Sequence, residues 1–141
     1  MKLLHVAIVL FYKDITSDGL KLWVQTRSDD GPFHGMLEFP GGKIEAGETP
    51  FQGGLREVQE EVDPGISYTE GQLLGHYENV TATKRIILYP VLVAAHPLLA
   101  GKGEWLNIDF TTMSSPFRGK IPHPNHPIID DLCRYLYDRQ Q

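Results

Sequence analysis

The chain has 141 residues, 41% of them hydrophobic and 22% charged, with a formal net charge of −5. That length suits one domain with a real core, and the composition is ordinary for a globular protein. The negative balance argues against broad, nonspecific binding to nucleic acid, which relies on a positive surface. The single cysteine, Cys133, excludes an intrachain disulfide and a CxxC zinc pattern, and it reads as a small residue on an apolar helix face.

Met1-Lys2 and the apolar residues after it superficially resemble a signal peptide, but no small-residue cleavage site follows and the chain runs on into Lys13-Asp14. Residues 3–12 are rich in Val, Ile, Leu and aromatics and read as a central strand. No apolar run is long enough to span a membrane, so the expected location is the cytoplasm. Residues 14–19 read as a turn and residues 20–27 as the second strand of a hairpin. A polar loop with Gly and Pro fills 28–35, and a short extended piece over 36–39 leads into Pro40-Gly41-Gly42.

The best-marked helix begins at Thr49. Thr49 is a good N-cap, Pro50 suits the first helical position, and Gln52 completes a capping box. Phe51, Leu55, Val58 and Val62 follow the helical period and form one apolar stripe. Gly53 and Gly54 cost about 1 kcal/mol each against Ala in a helix interior, which points to close backbone packing there. Pro64-Gly65 ends the helix. Downstream, residues 72–80 and 84–95 read as two antiparallel strands, with Pro90 marking an edge or a bulge. Residues 104–108 make a short strand, 111–125 a loop, and 127–139 a closing helix with Ile128, Leu132, Tyr135 and Leu136 on its apolar side. No internal repeat or low-complexity tract appears, and one domain over 1–141 is expected.

The chemistry lies in Glu57, Glu60 and Glu61. Spacings of three and four residues bring these carboxylates to one region of the first helix, beside its apolar stripe. Three like charges there repel, and the simplest relief is a divalent cation. Hard carboxylate oxygens suit Mg²⁺ and Mn²⁺, and Mg²⁺ is commonly shared between a few carboxylates and a substrate's phosphates.

Gly42, five residues, Glu48, seven residues, then Arg56-Glu57-Val58-Gln59-Glu60-Glu61 resembles the signature of the Nudix hydrolases. The resemblance implies an α/β fold, an α/β/α sandwich around a mixed sheet, and attack of water on a nucleoside diphosphate linked to another group. It places the metal ligands on Glu57, Glu60 and Glu61, often with the Gly41 carbonyl. It makes Arg56 the residue that orients a glutamate by salt bridge, and Gly42 and Glu48 structural supports. Leu37-Glu38-Phe39-Pro40 before the double glycine is similar to the MutT-like branch, whose members sanitise oxidised purine nucleoside triphosphates. By the same likeness Arg27 binds phosphate, Glu104 joins the metal site and serves as a candidate base, and Asn125 reads the purine edge. An Asn amide carries both a donor and an acceptor, which suits base recognition.

Simpler readings stand beside these. A charge run is most often a solvated helix face; Glu104 and Arg27 can be surface strand residues; Asn125 can serve the start of the last helix. His123 and His126 read as surface residues beside prolines, and His34 as a loop residue able to approach substrate. Trp23, Trp105, Phe39 and Tyr77 read as core. One departure from the family pattern stands out: Val62-Asp63-Pro64 intervenes before Gly65-Ile66. Either the turn is longer there, or Asp63 replaces a glycine.

The leading expectation is a Mg²⁺-dependent (Mn²⁺ as an alternative) hydrolase that splits a nucleoside triphosphate, such as 8-oxo-dGTP, into monophosphate and pyrophosphate. The same chemistry on a sugar nucleotide, a dinucleoside polyphosphate or an RNA 5′ end is an alternative. So is a catalytically silent nucleotide sensor. A monomer or a homodimer accommodates each of these.

Overall fold

The computed structural model describes residues 1–28 and 30–140. Its backbone is a mixed sheet with a helix on each face. Strand β1 (Lys2–Lys13) is its axis. Along one edge β1 pairs in parallel with β7 (Lys84–Ala94), in register from Lys2↔Lys84 to Tyr12↔Ala94. Along its other edge it pairs with two strands in turn, β4 (Gly41–Lys43) over Val6–Ile8 and β2 (Gly19–Thr26) at Tyr12 and Lys13. β2 also pairs with β8 (Glu104–Asp109) from Gly19 to Val24, and past Leu22, where it has left β1, it takes up β3 (Leu37–Glu38) at Gln25 and Thr26. The outer edge of β7 carries β5 (Gln72–Leu73) and β6 (Tyr77–Val80), both antiparallel.

The alternation of β1 splits the core into two layers. Ile8 and Leu10 face one side, with Leu20, Leu22, Val24, Leu88 and Leu92 and with Ile128, Ile129, Leu132 and Leu136 of helix α2 (His126–Gln140). Val9 and Phe11 face the other, with Trp23, Val91, Val93 and Val58 of helix α1 (Pro50–Glu61). Each fully buried aliphatic side chain contributes about 1.5–3 kcal/mol, so both helices are fixed by the sheet between them. Cys133 is fully buried on α2, and burial pushes its thiol up to about 12. Among the described residues no helix is long and apolar enough to cross a membrane.

One expectation needs correction and another is narrowed. The segment 72–80 is two short strands, not one: Gly75, at φ +99°, turns the chain between them. For Pro90 the edge reading falls and the bulge reading holds. Pro90 sits inside β7, opposite Ile8 of β1. It faces the break between β5 and β6, where Leu74 to His76 span a stretch that only Tyr89 and Pro90 match on β7. The Pro90 carbonyl still accepts from Leu74 N at 3.0 Å, while its missing N–H falls in the gap where no partner is needed.

Candidate active site

Helix α1 starts as its local sequence requires. The Thr49 hydroxyl accepts from Gln52 N at 3.1 Å and the Gln52 amide oxygen accepts from Thr49 N at 3.0 Å, closing the capping box. The apolar stripe turns inward, with Val58 fully buried and Phe51 edge-on to Tyr68 at 4.8 Å between ring centroids. The glycine pair does bring backbones together. A Cβ on Gly54 would stand 2.9 Å from Val9 Cγ2 and 3.0 Å from the Tyr68 hydroxyl. This close seat sets the height of α1 over the sheet, and so the place of its carboxylates.

Arg56 organises the acidic edge. Its Nε donates to Glu48 Oε2 at 2.8 Å and its Nη2 to Glu48 Oε1 at 3.0 Å, a two-pronged pair. Nη2 also donates to the Lys43 carbonyl at 2.9 Å. Nη1 reaches Glu57 Oε1 at 3.0 Å and Glu60 Oε1 at 3.3 Å. Glu48 in turn accepts from Glu45 N at 2.9 Å, and the guanidinium beside it holds its carboxyl below the usual range. One cation thus ties the loop before α1, strand β4 and two of the expected metal ligands into a single unit.

Glu57 lies against Gly42 so closely that a Cβ there would stand 2.5 Å from its carboxyl carbon. Gly41 has φ +151° and its Cα presses on β1, where a Cβ would meet the Ala7 carbonyl oxygen at 2.0 Å. The double glycine therefore serves close approach on both sides, to strand and to carboxylate.

Glu61 sits one helical turn on. It accepts from Gln25 Nε2 at 3.2 Å, and its carboxyl lies in the electrostatic reach of Gly41 and Glu57. Glu61 is exposed as a residue, but the groups crowded around its carboxyl desolvate it and, reinforced by the Glu57 charge, push it up to about 7 despite Gln25 and Gly41. Two neighbouring carboxylates, Glu57 bound to Arg56 and Glu61 reluctant to ionise, form an all-oxygen donor pair. That chemistry fits a hard divalent cation. Glu60 does not complete the pair in this arrangement. Its side chain is mostly exposed and turns onto Arg56, and among the described residues no three Asp, Glu, His or Cys side chains converge on one cation position.

A cavity of about 630 Å³ opens where β2 parts from β1. Its floor is apolar, made by Val6, Ile8, Ile86 and Leu88 with Phe39. Its rim is polar: Glu61 and Gln25 at one end, Arg27 and Glu38 along the wall, Asn79 and Asn125 beyond. Arg27 pairs with Glu38 at 3.4 Å and lies over Phe33. Asn125 closes the short turn His123–Asn125 ahead of α2. The cavity thus gathers Glu61, Gly41, Gly42, Arg27 and Asn125 from distant parts of the chain.

Other expected residues stand apart from it. Glu104 is exposed at the start of β8, paired with Val24, and does not line the cavity. His34 is exposed and also outside its wall. His126 bonds the Ile121 carbonyl at 2.9 Å, and His123 stands edge-on to Phe33. Trp23 is fully buried core, with its indole N–H unpaired among the described residues. The sequence reading missed Gln25, Glu38 and Asn79. Only strand alternation from Trp23 hints at Gln25; nothing local marks Asn79.

At the departure from the family pattern, the helix exit is built around Asp63. α1 stops at Glu61. Asp63 N then bonds the Val58 carbonyl at 3.3 Å, and the Asp63 carboxylate accepts from Gly65 N at 2.8 Å and pairs with Lys102. An aspartate side chain that accepts from the N–H two residues on closes its own turn, and Asp63 does so without a positive φ.

Comparison with known proteins agrees with this geometry. Residues 1–126 match the model of the NUDIX domain. The chain is 34% identical to an 8-oxo-dGTP diphosphatase of Escherichia coli (strain K12), over 95% of this chain and 99% of the relative. It is 37% identical to one of Haemophilus influenzae, over 64% of this chain and 58% of that one. The solution structure of the E. coli ORF135 protein superposes with a TM-score of 0.71 at 21% identity, covering 99% of this chain and 94% of that one. A MutT structure from work on Aliivibrio salmonicida and Vibrio cholerae gives 0.62 at 23% identity, covering 98% and 99%. These two likenesses carry the fold: an α/β sandwich about a mixed sheet. The chain belongs to the NUDIX family, among its MutT-like members, and is a pyrophosphohydrolase.

Proposed function

We propose that the protein hydrolyses a purine nucleoside triphosphate, 8-oxo-dGTP foremost, to the monophosphate and pyrophosphate with Mg²⁺ or Mn²⁺. The carrying observation is Glu61, one helical turn beyond Glu57, at one end of a cavity that also presents Arg27 and Asn125. The likeness to named 8-oxo-dGTP diphosphatases supports the choice of substrate.

Glu57 and Glu61 would hold the cation, with Glu60 joining once it turns from Arg56. Bound there, a divalent ion polarises phosphoryl oxygens and eases loss of a proton from water. Arg56 keeps Glu57 aimed through its Nη1. Arg27 places positive charge on the wall beside the phosphates. One carboxylate of the set accepts the proton of the attacking water. Glu104, exposed at its strand end, enters this scheme only if the cation-bound phosphates extend toward β8. The apolar floor takes the base, and Asn125 reads its edge.

The test is product analysis on purified protein. Pyrophosphate and 8-oxo-dGMP in equal amounts are expected from 8-oxo-dGTP with Mg²⁺. The rate constant kcat/KM should exceed that for dGTP, and turnover should stop with a chelator. Release of orthophosphate instead, or equal turnover with and without chelator, contradicts the reading.

A further inference from the structure

The cavity carries a second amide whose place in the sheet gives it a task. Asn79 lies on β6 in register with Ile86 of β7, and Ile86 pairs in turn with Leu4 of β1. Side chains of paired residues share a face. Asn79 therefore stands on the same face as Ile86, Leu88, Val6 and Ile8, the four side chains of the cavity floor. It is the polar border of an apolar platform two strands wide. Asn125 lines the same cavity from the turn before α2. Both residues are half-buried, and among the described residues neither amide group makes a hydrogen bond.

Neither amide is sealed from water among the described residues, so a ligand entering the cavity meets both with donor and acceptor capacity to offer. A flat apolar floor edged by donor–acceptor amides suits a planar heterocycle with hydrogen-bonding groups on its rim. Resting on the proposed nucleotide substrate, we infer that Asn79 is a specificity-determining residue, which binds the edge of the base from the sheet side while Asn125 binds it from the helix side. Two amides on two elements discriminate more sharply than one, because a base that mismatches either leaves a buried group unpaired.

The test compares Asn79→Leu, close to Asn in size but without its polar atoms, with wild type in equilibrium binding. The probes are 8-oxo-dGMP, dGMP, dAMP, dCMP, TMP and deoxyribose 5-phosphate. Wild type should bind one purine monophosphate best. The variant should bind that one about tenfold more weakly, a loss on the scale of one hydrogen bond, and bind the sugar phosphate unchanged. In turnover, KM should rise by the same factor while kcat stays within about twofold, the pattern of uniform binding. Asn79→Gln, which keeps the amide, should restore part of the preference. An unchanged ranking of bases in Asn79→Leu overturns the inference, as does a wild type that binds every base no better than the sugar phosphate. Failure of the pyrophosphate assay would instead strike the proposed reaction and leave the binding comparison standing.

Discussion

Arg56 shows how one side chain connects local sequence to site geometry. Its pairing with Glu48 spans eight residues, and through it the loop before α1 is tied to the helix that carries the acids. The pairing depresses the Glu48 carboxyl below its ordinary value of 4.5. A group depressed on folding adds stability that is fully present above its unfolded value and is lost as pH falls through its folded one. Glu48→Gln should therefore melt at a lower temperature than wild type at pH 7, and the gap should close as pH drops below about 4. Melting curves from pH 3 to pH 8 check this; a constant gap across that range counts against the linkage. Arg56 and Glu48 were legible in the sequence because both belong to a motif of fixed spacing. Gln25 was not. Its contact with Glu61 depends on where β2 parts from β1, and no local pattern encodes a distance across 36 residues.

At the scale of elements, the strongest local signals were also the truest. The Thr49 capping box and the Val58 stripe place α1 because they need only neighbours along the chain. The segment 72–80 was harder. Its apolar residues suggested one strand, but Gly75 and the missing Pro90 N–H opposite it break the ladder, a pairing visible only when β7 is beside it. The last helix was placed well, yet Ile129 and Cys133 join its buried face as fully as Ile128 and Leu132. That face is wider than a single stripe because α2 covers the broad layer of β1, β2 and β7 side chains. Gly54 tests how tightly α1 sits. Ala favours a helix over Gly by about 1 kcal/mol, whereas overpacking costs about 1–3 kcal/mol. The added methyl meets Val9, which is fully buried, and Tyr68, which is fixed by a bond to the Phe51 carbonyl. Packing should win, so Gly54→Ala should lower the melting temperature by roughly 3 °C or more. A rise would mean that α1 is free to lift from the sheet.

Seen as a whole molecule, the protein uses one sheet for two purposes. Both faces of β1 are buried under helices, which holds α1 and α2 on opposite sides of a stiff plane. The parting of β2 from β1 opens the cavity at the end of that plane, and α1 delivers Glu61 to it. The mixed sheet itself was legible only through family likeness, since the parallel pairing of β1 with β7 joins segments some eighty residues apart. The acidic cluster was legible as a cluster. What the sequence could not show is that Arg56 binds both Glu57 and Glu60 while Glu61 turns to Gln25 at the cavity. The proposed function gives those carboxylates a task, to hold a cation against a phosphate chain. The most direct measurement is pyrophosphate release from 8-oxo-dGTP over a Mg²⁺ titration, for wild type and for Glu57→Gln, a replacement of nearly equal shape. The account predicts a turnover loss of about a hundredfold or more, with the Mg²⁺ requirement shifted to higher concentration. Turnover within about twofold of wild type, at the same Mg²⁺ midpoint, would contradict it.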